Sequence, residues 1–425
     1  MVEEAVEPLT FADALNSKYA DYEPKLFDNI QLSPKRRAAL INKQGHHQRQ
    51  ILALDGCKIG SAGEAGEISE ICPNLVELDL TKNFIQCWEQ VFKIICQLPK
   101  LKFLNLSSNP FHFYFDEERI RSITQNNPVP KLKNLVLNNT KLPFEIIFKI
   151  LSFFPEIEEL HLSLNSYGHV VEWPSTFPKV TKLHFNSNDL DDWQDVMRIG
   201  KIFPSLRTLI LCENFIKEVE LEDDSRFFPQ LETLSLSKTD INGWESLDEI
   251  CKFPVLTDLR LVGVPLGKDE EEAKKRQLFI SRLPNIKKLN GSKIDENERE
   301  DAERVFIRYY MNSDNPPERY HELVKMHGQL DRLAEVDLSR KDYVQVKLFK
   351  EDQELTKLLV DLSMNVRDFK RIICRKVDLK PKEFRMFFIS CGQPVEMNQS
   401  RQWLSNYRMR DGDEILVQEL QKVRM

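Results

Sequence analysis

His161 and His184 are the side chains whose type and spacing come closest to chemistry in this sequence. Each falls at the same place in a repeating pattern, on what would be neighbouring strands, so two imidazoles could approach one another as metal ligands do. The pair has no evident third ligand, and two histidines are too few for a stable zinc site. No metal is therefore expected. Phosphate, dinucleotide, nucleophile-elbow and zinc-hydrolase chemistry also lack a carrier, because GxxxxGK[ST], GxGxxG, GxSxG and HExxH are all missing from the sequence. The eight cysteines make no CxxC pair, which points to reduced thiols. Neither an enzyme nor a cofactor is expected, and the sequence reads as that of a binding protein.

The elements that would carry the two histidines belong to a repeat. The template LxxLxLxxNxL recurs at Leu75-Leu78-Leu80-Asn83-Ile85, Leu101-Leu104-Leu106-Asn109-Phe111 and Ile157-Leu160-Leu162-Asn165-Tyr167. It returns at Val180-Leu183-Phe185-Asn188-Leu190 and Leu206-Leu209-Leu211-Asn214-Ile216, with weaker copies starting at Leu132, Leu231 and Leu256. Thr140, Thr239 and Val264 replace the asparagine in those copies, and Leu52-Leu54-Cys57-Ile59 is a partial opening copy. The spacing is close to the roughly 20–29 residues of leucine-rich repeats. The LxL pair of each copy points inward from a short parallel strand, and the asparagine amide satisfies turn backbone that the stack would otherwise orphan. Prolines from Pro73 to Pro284, two places before each unit, end the convex segments, and WEQVFKIICQL and WQDVMRIGKIF show helical spacing.

The same alternation sends other residues outward onto a concave sheet. Candidate protein-binding residues there are Glu77, Asp79, Phe103, Asn105, Val136, Glu159, His161, Lys182, His184, Ile210, Asp258 and Arg260. Their mixture of apolar, polar and oppositely charged groups suits a protein surface better than a small anion. Trp88, Trp193 and Trp244 each stand five residues beyond the asparagine position. They face a ligand or wedge adjacent repeats together, and the large area an aromatic buries favours the wedge.

The fold class is therefore α/β, a leucine-rich-repeat solenoid with a second domain after it. Residues 1–48 form an N-terminal extension and cap, 49–312 the repeats with a C-terminal cap, 313–341 a polar connector and 342–425 the second domain. The formal charge is −7; 16 Lys+Arg against 13 Asp+Glu from Asp342 onward make that segment +3 and the remainder −10. No dense basic stripe is present, so nucleic acid is not an expected partner. No apolar run is long enough to span a bilayer and the N-terminus has no secretory h-region, so membrane association is not expected either.

From Asp342 the pattern changes. YVQVKLF and LTKLLVDL read as a hairpin, NVRDFKRIICRKV as a helix, and EFRMFFI and DEILVQEL as two further strands. This ββαββ order resembles ubiquitin-like domains, and Leu404 and Tyr407 match that family's Leu-x-x-Tyr turn before the last strand. The resemblance implies a β-grasp fold, and the ending KVRM, which is not a diglycine, implies that the domain is not conjugated to other proteins. Arg367, Lys370, Arg371, Arg375 and Lys376 crowd its helix and read as a solvated face.

LNGSKIDENEREDAERVFIRYY, together with NFIQCW, NDLDDW and the ubiquitin-like C-terminus, resembles the tubulin-folding cofactor E family. With only Gly45 among the first 48 residues, the resemblance is to the E-like branch without a CAP-Gly domain. It implies binding to α-tubulin, dissociation of the α/β-tubulin heterodimer, loss of microtubules and a cytoplasmic, cytoskeleton-associated protein. By fold analogy the ubiquitin-like domain meets the proteasome or ubiquitin-pathway components. The alternative is a ubiquitin/proteasome-pathway adaptor whose repeats bind a client other than tubulin.

Overall fold

A short strand whose central leucine points inward cannot bury that leucine alone, so the repeats solve the problem by stacking. In the computed structural model, which describes residues 7–19, 47–125, 127–221, 228–331, 342–390 and 392–420, this stacking yields a sheet of eleven strands among the described residues. Ten of them are parallel and ordered by sequence, and the short strand Ser292–Lys293 turns back antiparallel on Lys288–Leu289 to end the sheet. Expectations for residues 20–46 and for the terminal KVRM lie outside the described residues.

Register is set by the leucines. Leu52, Leu78, Leu104, Leu135, Leu160, Leu183, Leu209, Leu234, Leu259 and Leu289 stand opposite one another from strand to strand. Each is fully buried or within a hundredth of it. A slip of one residue would put every one of them in water, which is why the pairing is strongly specified.

The asparagines make the expected ladder. Asn188 Oδ1 accepts from the Asn165 and Tyr167 amides at 2.9 and 3.2 Å, while its Nδ2 donates to the Leu162 and Phe185 carbonyls at 3.0 and 3.2 Å. Asn83, Asn109 and Asn214 make the same two donations to carbonyls, and their Oδ1 atoms accept from the Ile59, Ile85 and Leu190 amides. The residue just before the asparagine position has positive φ in every unit: Gly56, Lys82, Ser108, Asn139, Leu164, Ser187, Glu213, Lys238 and Gly263. Left-handed backbone costs a residue with a Cβ roughly 1–2 kcal/mol, so the ladder holds seven non-glycine residues against that preference. Leu164, at φ 64° and 51% exposed, is the clearest case. Leu164→Gly should therefore raise stability by up to about 1 kcal/mol, read as a higher urea midpoint; a lower midpoint would show that the exposed leucine itself stabilises the turn.

The helices Trp88–Ile95 and Trp193–Ile202 lie where the periodicity predicts them. Trp88 and Trp193 are buried, and Trp88 stacks on Phe111 of the next unit at 4.9 Å and 10°, so these two are wedges. Trp244 is half-buried, with the Arg282 guanidinium 5.3 Å from its ring centre. At the N-terminal end, Leu9–Thr10 pairs in parallel with Ile59–Ser61, and the helix Phe11–Lys18 buries Phe11 and Leu15 over the first repeat. At the other end the cap helix Glu296–Tyr310 brings Arg299 under the last turn. Its Nη1 donates to the Ile280 and Leu283 carbonyls at 3.0 and 3.2 Å, and its Nη2 to the Ile286 carbonyl.

The expected connector 313–341 differs in one part. A helix, Glu318–His327, occupies its first half and packs Leu323 against Leu278, Phe306 and Ile307. Buried Glu303 receives Arg319 at 3.1 Å and His327 at 2.7 Å from that helix. The repeat unit accordingly runs from Met1 to Asp331, and the second compact unit is Arg332–Met425.

The second unit is a five-stranded sheet in which the first and last strands, Tyr343–Lys350 and Glu414–Glu419, pair in parallel at the centre. The helix Val366–Val377 covers it through Phe369 and Ile373, N-capped by Asn365, whose side chain accepts from the Asp368 amide. Leu404–Tyr407 is a 3-10 turn with Leu404 buried. This is the β-grasp fold. The fifth strand, Gln393–Glu396, is a short edge containing Pro394, too brief to show as an alternating pattern in the sequence.

Candidate functional site: the outward face of the repeat sheet

The period of two that buries the central leucines sends their neighbours out of the sheet. Register lines them into two columns. One holds Glu77, Phe103, Asn134, Glu159, Lys182, Thr208, Thr233, Asp258 and Lys288; the other holds Asp79, Asn105, Val136, His161, His184, Ile210, Ser235 and Arg260. All twelve candidate residues stand in these columns. Val136 needs correction as a contact residue, because it is only 6% exposed between Asn105 and His161 and offers almost no surface. Glu77 and Arg260 are exposed, and the rest are half-buried.

Polar groups on the face are mostly engaged with one another. Asp79 accepts from the Thr81 amide and hydroxyl at 2.8 and 2.5 Å, and Asn105 does the same for Ser107 at 3.1 and 2.7 Å. Asp258 Oδ2 lies 3.1 Å from Lys288 Nζ, whereas Arg260 Nε is 3.9 Å from Oδ1, beyond hydrogen-bond reach. Lys288 is a face residue that the sequence reading missed, although RLPNIKKLNGS does carry the strand pattern that would have found it.

The densest group is at the centre. The His161 and His184 rings stack with centroids 4.0 Å apart and planes 5° from parallel. Their Nε2 atoms lie 2.9 and 3.1 Å from the same atom, Glu159 Oε1, and Lys182 Nζ is 2.8 Å from it. Glu159 Oε2 accepts from Asn134 Nδ2 at 3.1 Å. The pair of histidines therefore does have a third metal-ligating group beside it, which corrects the reading of an isolated pair. Its signal was the Glu-x-His spacing of Glu159 and His161, which puts both on one face of a strand. Burial pushes both imidazoles below the ordinary histidine range, His184 to about 4 with His161 and Lys182 adding to the effect, so both are neutral at pH 7. Burial also works to raise Glu159, but the Lys182 ammonium and His161 outweigh it and hold the carboxylate ionised.

On the β-grasp unit, the basic helix face is partly committed. Lys370 donates to the Phe384 carbonyl at 3.1 Å and Arg371 pairs with Asp368 at 2.9 Å.

Among the described residues no helix is long and apolar enough to cross a membrane. A leucine-rich-repeat family model matches residues 139–310. The chain is 38% identical over 376 residues to the human tubulin-specific chaperone cofactor E-like protein, covering 87% of each chain. To the Caenorhabditis elegans protein of the same name it is 30% identical over 415 residues, covering 96% of this chain and 94% of that one. Among solved structures, the C-terminal ubiquitin-like domain of mouse tubulin-specific chaperone e is matched at 21% identity, over 21% of this chain and 98% of that domain, with a TM-score of 0.19.

Proposed function

The chain belongs to the family of the tubulin-specific chaperone cofactor E-like proteins, and from that premise we propose that it binds α-tubulin, dissociates the α/β-tubulin heterodimer and so destabilises microtubules in the cytoplasm. The observation that carries this reading is the outward sheet face, an unbroken pair of columns that carries Phe103 in one and Ile210 in the other among polar residues and charged Glu77, Glu159, Lys182 and Arg260. Apolar anchors set among charges are what a protein partner needs, since burial supplies affinity and the charges fix register.

No catalytic step is required. A ligand displaces an equilibrium by as much as it prefers one state, so a face that binds α-tubulin better when its β partner is gone pulls the heterodimer apart by mass action. Moving such an equilibrium from 1:99 to 99:1 takes about 5.5 kcal/mol of preference, within reach of a few well-packed contacts.

The combined substitution Phe103→Ala, Ile210→Ala and Arg260→Glu tests the face. All three side chains are on the outward columns, so circular dichroism should remain that of the wild type. Binding to α-tubulin should weaken at least about tenfold, and dissociation of purified tubulin without added nucleotide should fall with it. Full dissociation by the folded triple variant would place the contact off the sheet face.

The β-grasp fold of the second unit favours an additional role, docking to the proteasome or to ubiquitin-pathway components. A pulldown from cytosol separates the readings. Tubulin retained by Met1–Asp331 supports the first, whereas a non-tubulin client on the repeats supports an adaptor.

A further inference from the structure

We propose that Glu159, His161 and His184 form a binding site for a divalent transition-metal ion of the zinc class, open to solvent on the repeat sheet. One oxygen and two imidazole nitrogens lie within 4.8 Å of one another. Around a tetrahedral ion with ligands at about 2.0–2.1 Å, neighbouring donor atoms are about 3.3 Å apart. Glu159 Oε1 is already 2.9 and 3.1 Å from the two Nε2 atoms, so the carboxylate needs to withdraw by only a few tenths of an ångström. Two neutral nitrogens with one carboxylate suit Zn²⁺, Co²⁺, Ni²⁺ or Cu²⁺ and not the hard, oxygen-seeking Ca²⁺ or Mg²⁺.

The scaffold is stiff where a ligand set needs it. His161 and His184 are register partners on adjacent parallel strands, and Glu159 shares a strand and a face with His161. Asn134 holds the far oxygen of Glu159, acting as the outer-shell partner that orients a ligating carboxylate. The three side chains are 22% to 23% exposed, enough for an ion to enter, and three protein ligands leave a fourth position for water or for a group on a docked protein.

Binding costs three rearrangements. The stacked rings must turn out of parallel so that each nitrogen lone pair meets the ion, a motion about the broad χ2 torsion of histidine. Each imidazole then carries its proton on Nδ1, and the Lys182 ammonium leaves Glu159 for solvent. Lys182 is therefore a competitor for the site, which supplies a test in the direction of gain.

Chelator-treated full-length protein is titrated with Zn²⁺ by calorimetry and with Co²⁺ by visible absorption. The expected result is one equivalent bound, with the intense d–d bands of four-coordinate cobalt. Glu159→Gln and His184→Ala should each weaken binding at least about tenfold, and Lys182→Met should tighten it several-fold. Should His184→Ala alter the circular dichroism, the near-isosteric Glu159→Gln and Lys182→Met carry the comparison. Absence of binding to the wild type overturns the proposal. So does an equivalent retained by the folded His161→Ala/His184→Ala double variant, which would put the ion on the cysteines, or a Lys182→Met variant that binds no tighter.

Discussion

Leu209→Asp should abolish cooperative folding of the repeat unit at room temperature while the β-grasp unit still melts as in the wild type. Leu209 is fully buried, flanked in register by Leu183 and Leu234. Truncating such a leucine alone costs about 2–5 kcal/mol. A carboxylate in its place adds several more, because no cation is within the leucine column to pair with it and the charged form loses its hydration. The sum is comparable with the whole stability of an ordinary domain, about 5–15 kcal/mol. In a stack, damage at one unit removes both of its interfaces, so the loss spreads to the repeats on either side. The second unit has its own core around Val346, Phe369, Leu404 and Ile415 and should be untouched. Urea unfolding followed by far-ultraviolet circular dichroism separates the two transitions. A Leu209→Asp protein with the wild-type midpoint for the repeat unit would mean that the register assigned to this strand is wrong.

That register was open to inspection in the sequence because a leucine every few residues carries it redundantly over ten strands. What stayed hidden depends on backbone or side-chain geometry that has no residue signature. Seven of the nine left-handed residues before the ladder positions are Lys, Ser, Asn, Leu, Ser, Glu and Lys, which share no chemistry that would mark a positive φ. The helix Glu318–His327 read as connector because Pro316 and Pro317 precede it and few of its residues are apolar. Yet Pro317 is its N-cap, a place where a missing amide costs nothing. Its docking rests on one buried leucine and on Arg319 and His327 meeting Glu303, pairs too far apart in the chain to be read from spacing. At the sheet face, columns were legible but their contents were not. Which of Glu159, Lys182, His161 and His184 touch is decided by rotamers and by Asn134 on the next strand, so the sharing of one Glu159 oxygen by both imidazoles emerged only with coordinates.

The asparagine ladder bears the second large effect. Asn188 is 1% exposed, and its amide is the hydrogen-bond partner of two backbone amides and two carbonyls drawn from its own and the preceding repeat. Leucine has the same branched shape and number of heavy atoms, though it is bulkier, and none of these groups, so Asn188→Leu leaves four buried backbone atoms in want of partners. At about 1–3 kcal/mol for each that water cannot reach, and with partial relaxation, the expected cost is about 3–6 kcal/mol. Threonine should do better, because the protein already uses it there. Thr140 and Thr239 each donate to the carbonyl three residues before them, at 3.0 and 2.7 Å, which meets the intra-repeat half of the requirement and forgoes the inter-repeat half. Asn188→Thr should therefore lose about half as much as Asn188→Leu. If the ladder acts by joining neighbours, its loss should also appear as faster amide exchange at Asn165 and Tyr167, the donors that Asn188 Oδ1 accepts from. Near-wild-type stability of Asn188→Thr, with exchange at those two amides unchanged, would show that Asn188 stabilises its own turn and does not hold the repeats together.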